Sequence, residues 1–181
     1  YQEEVERRCG ICLSDPLIYE AFTYYDHEVL PYKNDDMINA KAMPGAHAAL
    51  QAVQDAGLRC ALFTNPSFPQ GAIECRMGWG ELTDAPFELV THMGNATRCK
   101  PDVTYYLEQL QVMGLEPHEV LMVGNDPKRD FPSPACGIQT AYVGQGKPGR
   151  ATWRGTMEDF ARDFNAVVEA FYEHQIADEL S

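Results

Sequence analysis

The chain has 181 residues and a formal net charge of −13, enough for one domain with a proper core and a small subdomain beside it. There is no basic stripe, which excludes the electrostatic footprint of a nucleic-acid binder and of a protein drawn to an anionic membrane surface. No apolar run reaches the length of a membrane span, and a hydrophobic share of 45% is ordinary for a globular chain.

In chain order, residues 1–8 are charged and amphipathic, unlike a secretory signal. Residues 1 to about 40 read as helical and irregular. Tyr19, Phe22, Tyr25, Val29 and Tyr32 recur at three- and four-residue steps, a helical apolar face suited to packing. Asn34, Asp35 and Asp36 form a turn. Pro44 and Gly45 open a helix over 46–55, stopped by Gly57. Residues 58–63 are an apolar run of strand length that ends in Thr64, Asn65 and Pro66. A helix follows over 69–77, then a strand over 87–91. Pro101 and Asp102 suit the first turn of a helix that runs to Met113 and is closed by Gly114. Residues 120–123 and 138–143 are the next strands. Residues 144–155 are Gly-rich, basic and polar, hence a loop. Residues 157–174 make a closing amphipathic helix, with Phe160, Phe164, Val167, Val168 and Phe171 on one face. Helix and strand alternate with short links, the pattern of βαβ units and a parallel sheet covered on both faces.

Six cysteines are present. Cys60 and Cys136 sit in or beside apolar runs and read as small buried hydrophobes. Cys9 and Cys12 form a CxxC, but no strand precedes it and no second pair accompanies it, so ordinary thiols are expected. Thiols without a disulfide framework point to a reducing compartment, the cytoplasm. The five histidines show no metal spacing. Trp79, between two glycines, reads as packing.

Three segments at strand or helix boundaries carry chemistry. Thr64 and Asn65 end one strand, Lys100 stands just before a helix, and Asp126 and Asp130 follow the strand over 120–123. Carboxyl ends of parallel strands are where open α/β sheets bind ligands. A hydroxyl, a cation and paired acids at such ends form a phosphate-handling set. Thr64 and the Asn65 amide can donate to phosphate oxygens. Lys100 can neutralise charge as a phosphoryl group moves. A cation at a helix start sits badly with the helix dipole, which argues for an anionic partner. Asp126, beside Asn125, offers hard oxygens to Mg²⁺.

These segments resemble the haloacid dehalogenase-like (HAD) superfamily over roughly residues 43–143. Ala42-Met-Pro-Gly-Ala-His-Ala-Ala-Leu50 resembles the lead-in to the family's second motif. Leu62-Phe-Thr-Asn-Pro-Ser-Phe-Pro69 resembles that motif, with Thr64 as its hydroxyl. Cys99-Lys-Pro-Asp-Val-Thr-Tyr-Tyr106 resembles the third, with Lys100 as its lysine. Leu121-Met-Val-Gly-Asn-Asp-Pro-Lys-Arg-Asp130 resembles the fourth, with its acidic pair. Within the superfamily the likeness is greatest to the subgroup with Thr-Asn-Pro-x-Phe-Pro and Gly-Asn-Asp segments. The resemblance implies a Rossmann-like parallel sheet with helices on both faces, a partial helical cap over residues 1–42 and a core over 43–181. It implies a Mg²⁺-dependent phosphatase acting on a small phosphorylated metabolite. In such a mechanism an Asp-x-Asp aspartate forms a phospho-aspartyl intermediate and the second aspartate protonates the leaving group. Asp126 is the expected direct metal ligand and Asn125 an added oxygen. Asp130 is expected either to bind the metal through water or to orient Lys100.

The chain contains no Asp-x-Asp. The family places that motif before the cap, so the expectation is a chain lacking its first strand and nucleophile, inactive alone; the missing initiator Met agrees. In the family that strand lies between the one ending at Thr64 and the one ending at Gly124, so two strands are expected to face each other unpaired. After Asp130, Pro132 and Pro134 shorten the expected helix. Two other functions fit the motifs: a non-catalytic phosphate- or partner-binding module, and a dehalogenase or phosphomutase on the same scaffold. Nothing in the sequence sets the oligomeric state.

Overall fold

The computed structural model describes residues 2–35, 38–146 and 150–179. Asp36 of the expected turn and residues 147–149 of the expected loop lie outside them.

Among the described residues, seven α-helices and five strands follow one another as α1 (Gln2–Cys9), α2 (Pro16–Tyr24), α3 (Ala46–Asp55), β1 (Cys60–Leu62), α4 (Gln70–Trp79), β2 (Phe87–Val90), α5 (Val103–Met113), β3 (Leu121–Gly124), β4 (Gln139–Val143), β5 (Trp153–Gly155), α6 (Met157–Arg162) and α7 (Phe164–Glu179). Local chemistry sets several boundaries. Asp102 caps α5 by accepting from the Thr104 amide at 2.8 Å, and Gly114, at φ +65°, ends it. Thr156 and Asp159 form a reciprocal capping box at the start of α6. At Gly45 the backbone is left-handed, and a Cβ would lie 2.5 Å from the Glu158 amide nitrogen. Only glycine lets the start of α3 approach α6 this closely.

Among the described residues all strand pairing is parallel. β1 pairs with β2, joining Leu62 to Val90, and β4 pairs with β3 on one side and β5 on the other. The α/β architecture with parallel sheets is therefore as expected, but the strands form two sheets, β1–β2 and β3–β4–β5. β1 and β3 do not pair with each other. Alternation along β3 sends Leu121 and Val123 to one face and Met122 to the other. The first two pack with Ala141, Val143, Phe160, Phe164 and Val167, beneath α3, α6 and α7. Met122 packs with Tyr105, Tyr106, Leu110 and Ile138, beneath α5. Phe63, just past β1, joins this second cluster with its ring centroid 5.9 Å from that of Tyr105. α5 thus spans the two sheets and holds their strand ends together.

Several expectations are corrected. The segment over 144–155 is not all loop: Trp153–Gly155 is a strand, anchored by the Trp153 ring 5.4 Å from Phe160. Three residues are too few to show periodicity. The closing helix is two helices, broken at Asp163, where φ −96° and ψ 14° leave the helical region. Its apolar face is as expected, with Phe160, Phe164, Val167 and Phe171 all buried. The aromatic face of residues 19–32 is not packed: Tyr19, Phe22, Tyr25 and Tyr32 are exposed, Tyr32 by 82%. Helical periodicity there reports amphipathicity without a core to receive it. Instead, a π-helical turn (Tyr25–Val29) sets its His27 ring against Gly71 of α4, where a Cβ would lie 3.3 Å away. Cys60 and Cys136 are half-buried rather than buried. The short helix after Asp130 is a single 3₁₀ turn, Pro134–Cys136.

Candidate active site

The loops after β1, β2 and β3 converge on Lys100. Its side chain is 10% exposed, and its Nζ lies 2.7 Å from Asp130 Oδ1, whose side chain is 12% exposed. The Lys100 amide donates to Asn65 Oδ1 at 2.9 Å. The anion called for by a lysine at a helix start is therefore supplied by the chain itself. Asp130 Oδ2 accepts the amides of Asn125 (3.1 Å) and Asp126 (2.9 Å). Both carboxylate oxygens are thus engaged, and Asp130 orients Lys100 while closing the turn that carries Asp126. Gly124 makes this possible, since a Cβ there would meet Asp130 Cβ at 2.5 Å. The Lys100–Pro101 peptide bond is cis.

Thr64 is held from three sides. Its hydroxyl donates to Thr91 O at 2.7 Å and its amide donates to Thr91 Oγ1 at 2.6 Å. Its carbonyl accepts from the Tyr105 hydroxyl at 2.7 Å. The Tyr106 hydroxyl donates to Asp130 O. Neighbouring tyrosines of α5, both with no exposed surface, therefore fix one end of each sheet. Burial raises the pKa of both phenols, so they act as neutral donors. Thr91, Tyr105 and Tyr106 are site-building residues not identified from sequence. A signal was available: Thr91 follows β2 as Thr64 follows β1, and both tyrosines lie in the segment that carries Lys100.

Asp126 and Asn125 are arranged differently. Asp126 Oδ1 accepts the amides of Lys128 and Arg129 at 3.0 and 3.2 Å, while Oδ2, among the described residues, has only Arg129 Nε, at 3.5 Å. Asn125 is exposed. Hard oxygens at these two residues suit a magnesium ion, whose remaining ligands would be water and phosphate. Asp130 does not suit direct ligation, because Lys100 and two amides occupy it. Among the described residues no three His, Cys, Asp or Glu side chains cluster as a metal site. Nor is any helix there long and apolar enough to cross a membrane.

The chain is similar to several known proteins. The chain is 30% identical over 115 residues to the phosphoglycolate phosphatase of Rhodospirillum rubrum, covering 64% of this chain and 46% of that protein. It therefore spans about half the length of the curated relative that it matches. Among solved structures, the β-phosphoglucomutase of Clostridium difficile superposes with a TM-score of 0.63 at 15% identity, over 97% of this chain and 78% of that one. A HAD phosphatase from Thermococcus onnurineus superposes with a TM-score of 0.57 at 16% identity, over 90% of this chain and 86% of that one. At such identities these two structures speak to the fold. A family model for haloacid dehalogenase-like hydrolases matches residues 14–136, more than half of the chain, and the chain belongs to that family.

Proposed function

We propose that this chain carries the phosphate-seating part of a Mg²⁺-dependent phosphatase that cleaves a small phosphomonoester through a phospho-aspartyl intermediate. The observation that supports it most is the convergence of three strand-end loops on a buried Lys100 held by Asp130 at 2.7 Å. The Lys100 ammonium neutralises charge on the moving phosphoryl group, and Asp130 keeps it in place. The Asn65 amide and the Thr64 hydroxyl donate to phosphate oxygens, the latter after leaving the Thr91 carbonyl. Asp126 and Asn125 hold the metal, which, when bound, polarises the phosphoryl oxygens and offsets repulsion of an anionic nucleophile. Residues 1–42 form part of a cap over the core of residues 43–181.

We assign the nucleophile to a strand outside this sequence, which enters between β1 and β3. The support is that these strands are unpaired with each other, their ends being bridged by Lys100 and by the tyrosines of α5, and that no Asp-x-Asp occurs in the 181 residues. By the name of its curated relative, phosphoglycolate is the first ester to test. The experiment is borohydride trapping of the acyl phosphate in the native gene product that contains this chain, followed by peptide mapping. Reduction at an aspartate outside residues 1–181 is expected, with no turnover by residues 1–181 alone. A trapped acid within residues 1–181 would overturn the assignment.

A further inference from the structure

A cavity of about 510 Å³ opens beside the phosphate seat, lined at one end by Thr64 and Asn65. That volume suits a small organic ligand. Much of the remaining wall is apolar, from Leu62, Phe68 and Met77 among others, but two cations also line it, Lys41 and Arg76.

Six of the other described basic residues are ion-paired. Arg7, Arg8, Arg59, Lys100, Arg129 and Arg162 each hold a carboxylate. Among the described residues, neither Arg76 nor Lys41 has an ion pair. What sets this pair apart is its place: both cations line one cavity, in a chain with a net charge of −13. Arg76 is also positioned. Its guanidinium carbon lies 5.3 Å from the centroid of the Phe68 ring, a cation–π contact. Phe68 belongs to the loop that follows Thr64, and its carbonyl accepts the Met93 amide at 2.9 Å. Arg76 is thereby seated on the phosphate loop itself. The facing wall is pinned as well. The Asn34 side chain donates to Ala40 O at 2.8 Å and accepts the Ala40 amide at 2.7 Å, fixing the backbone that carries Lys41. Groups held in place before binding lose little entropy when a ligand arrives.

We propose that this cavity receives the organic part of the phosphoester and that Arg76, aided by Lys41, selects esters bearing a second anionic group, a carboxylate or a further phosphate. The proposal rests on Thr64, Asn65 and Lys100 seating the phosphate. Arg76 and Lys41 are specificity-determining residues and touch no reacting atom.

The test is calorimetric titration of the chain with three probes: inorganic phosphate, propyl phosphate and 3-phosphooxypropanoate. The two esters share a three-carbon body and differ in the terminal carboxylate. The carboxylate ester is expected to bind about fivefold tighter than propyl phosphate, the size of a well-placed exposed ion pair. In Arg76→Met, which keeps an apolar stem over Phe68, the two esters should bind alike, and Lys41→Met should narrow the gap. If phosphate binds but the esters are equal in the unsubstituted chain, or the gap survives Arg76→Met, the inference is overturned while the phosphate seat stands. If inorganic phosphate does not bind, the seat itself is refuted, and the inference falls with it.

Discussion

Replacing Asp130 by Ala removes the partner of a cation that is only 10% exposed, held at 2.7 Å. Breaking a buried pair from one side costs about 3–5 kcal/mol, because the charge left behind has lost its water as well as its partner. The same substitution deprives the Asn125 and Asp126 amides of their acceptor. In a chain of this size about 1 kcal/mol corresponds to roughly 2–4 °C, so the midpoint should fall by about 10 °C. Lys100→Met should cost less, about 2 kcal/mol, since the remaining carboxylate keeps two amide donors that are charge-assisted. The internal control is Glu88→Ala. Its partner Arg59 is 44% exposed, and exposed pairs contribute at most about 1 kcal/mol. Thermal and urea denaturation of the three variants, followed by circular dichroism, give the ranking. If Asp130→Ala costs no more than Glu88→Ala, the buried pair does not organise the three loops and the reasoning is wrong.

Gly124→Ala should be destabilising by about 2 kcal/mol in the same assay, because its Cβ would press on Asp130 Cβ at 2.5 Å and the overpacking must be relieved by moving the acid; a neutral result would mean the turn is not closed as described. The Thr156 backbone, the Thr156 hydroxyl and Arg162 hold Asp159 at a pKa of about 2, below its ordinary 3.8. A depressed folded-state pKa contributes stability that is present above the unfolded value and lost as pH falls toward 2. The urea midpoints of the native chain and Asp159→Asn should therefore differ above pH 4 and converge near pH 2; a constant gap would contradict the cap. Burial pushes the Cys60 thiol up, whereas Cys9, Cys12 and Cys99 are exposed. Mass spectrometry after brief iodoacetamide treatment should find the three exposed thiols alkylated well before Cys60; equal rates would contradict the described burial.

Much of the core was legible because its signals are local. Gly45, Asp102 and Gly114 mark helix boundaries by backbone chemistry, and the strand-length apolar runs fell where β1 to β4 lie. The site was legible as three segments, since Thr64, Lys100 and Asp126 each stand at a boundary where a polar side chain has a reason to be. Their internal wiring was not. Asp130 binding Lys100 across 30 residues was expected only as one of two roles implied by the family resemblance, and Tyr105 and Tyr106 reaching two different sheets are tertiary contacts that no short window contains. The same holds for β5, where pairing to β4 and packing on Phe160 outweigh a composition typical of a loop. The aromatic face of residues 19–32 shows the converse limit. A three-to-four-residue spacing defines a face, but nothing in the spacing says that another element covers it, and in this structure those rings stay exposed.

The central assignment is tested most directly at Lys100. Hydrolysis of p-nitrophenyl phosphate should be measured with the native gene product that contains this chain, with Mg²⁺, before and after Lys100→Ala. Loss of a preorganised group that stabilises transition-state charge lowers kcat by about 10²–10³-fold, and a fall of that size, with the variant still folded by circular dichroism, is the expected result. A folded Lys100→Ala variant that hydrolyses the ester at the unsubstituted rate would contradict the assignment.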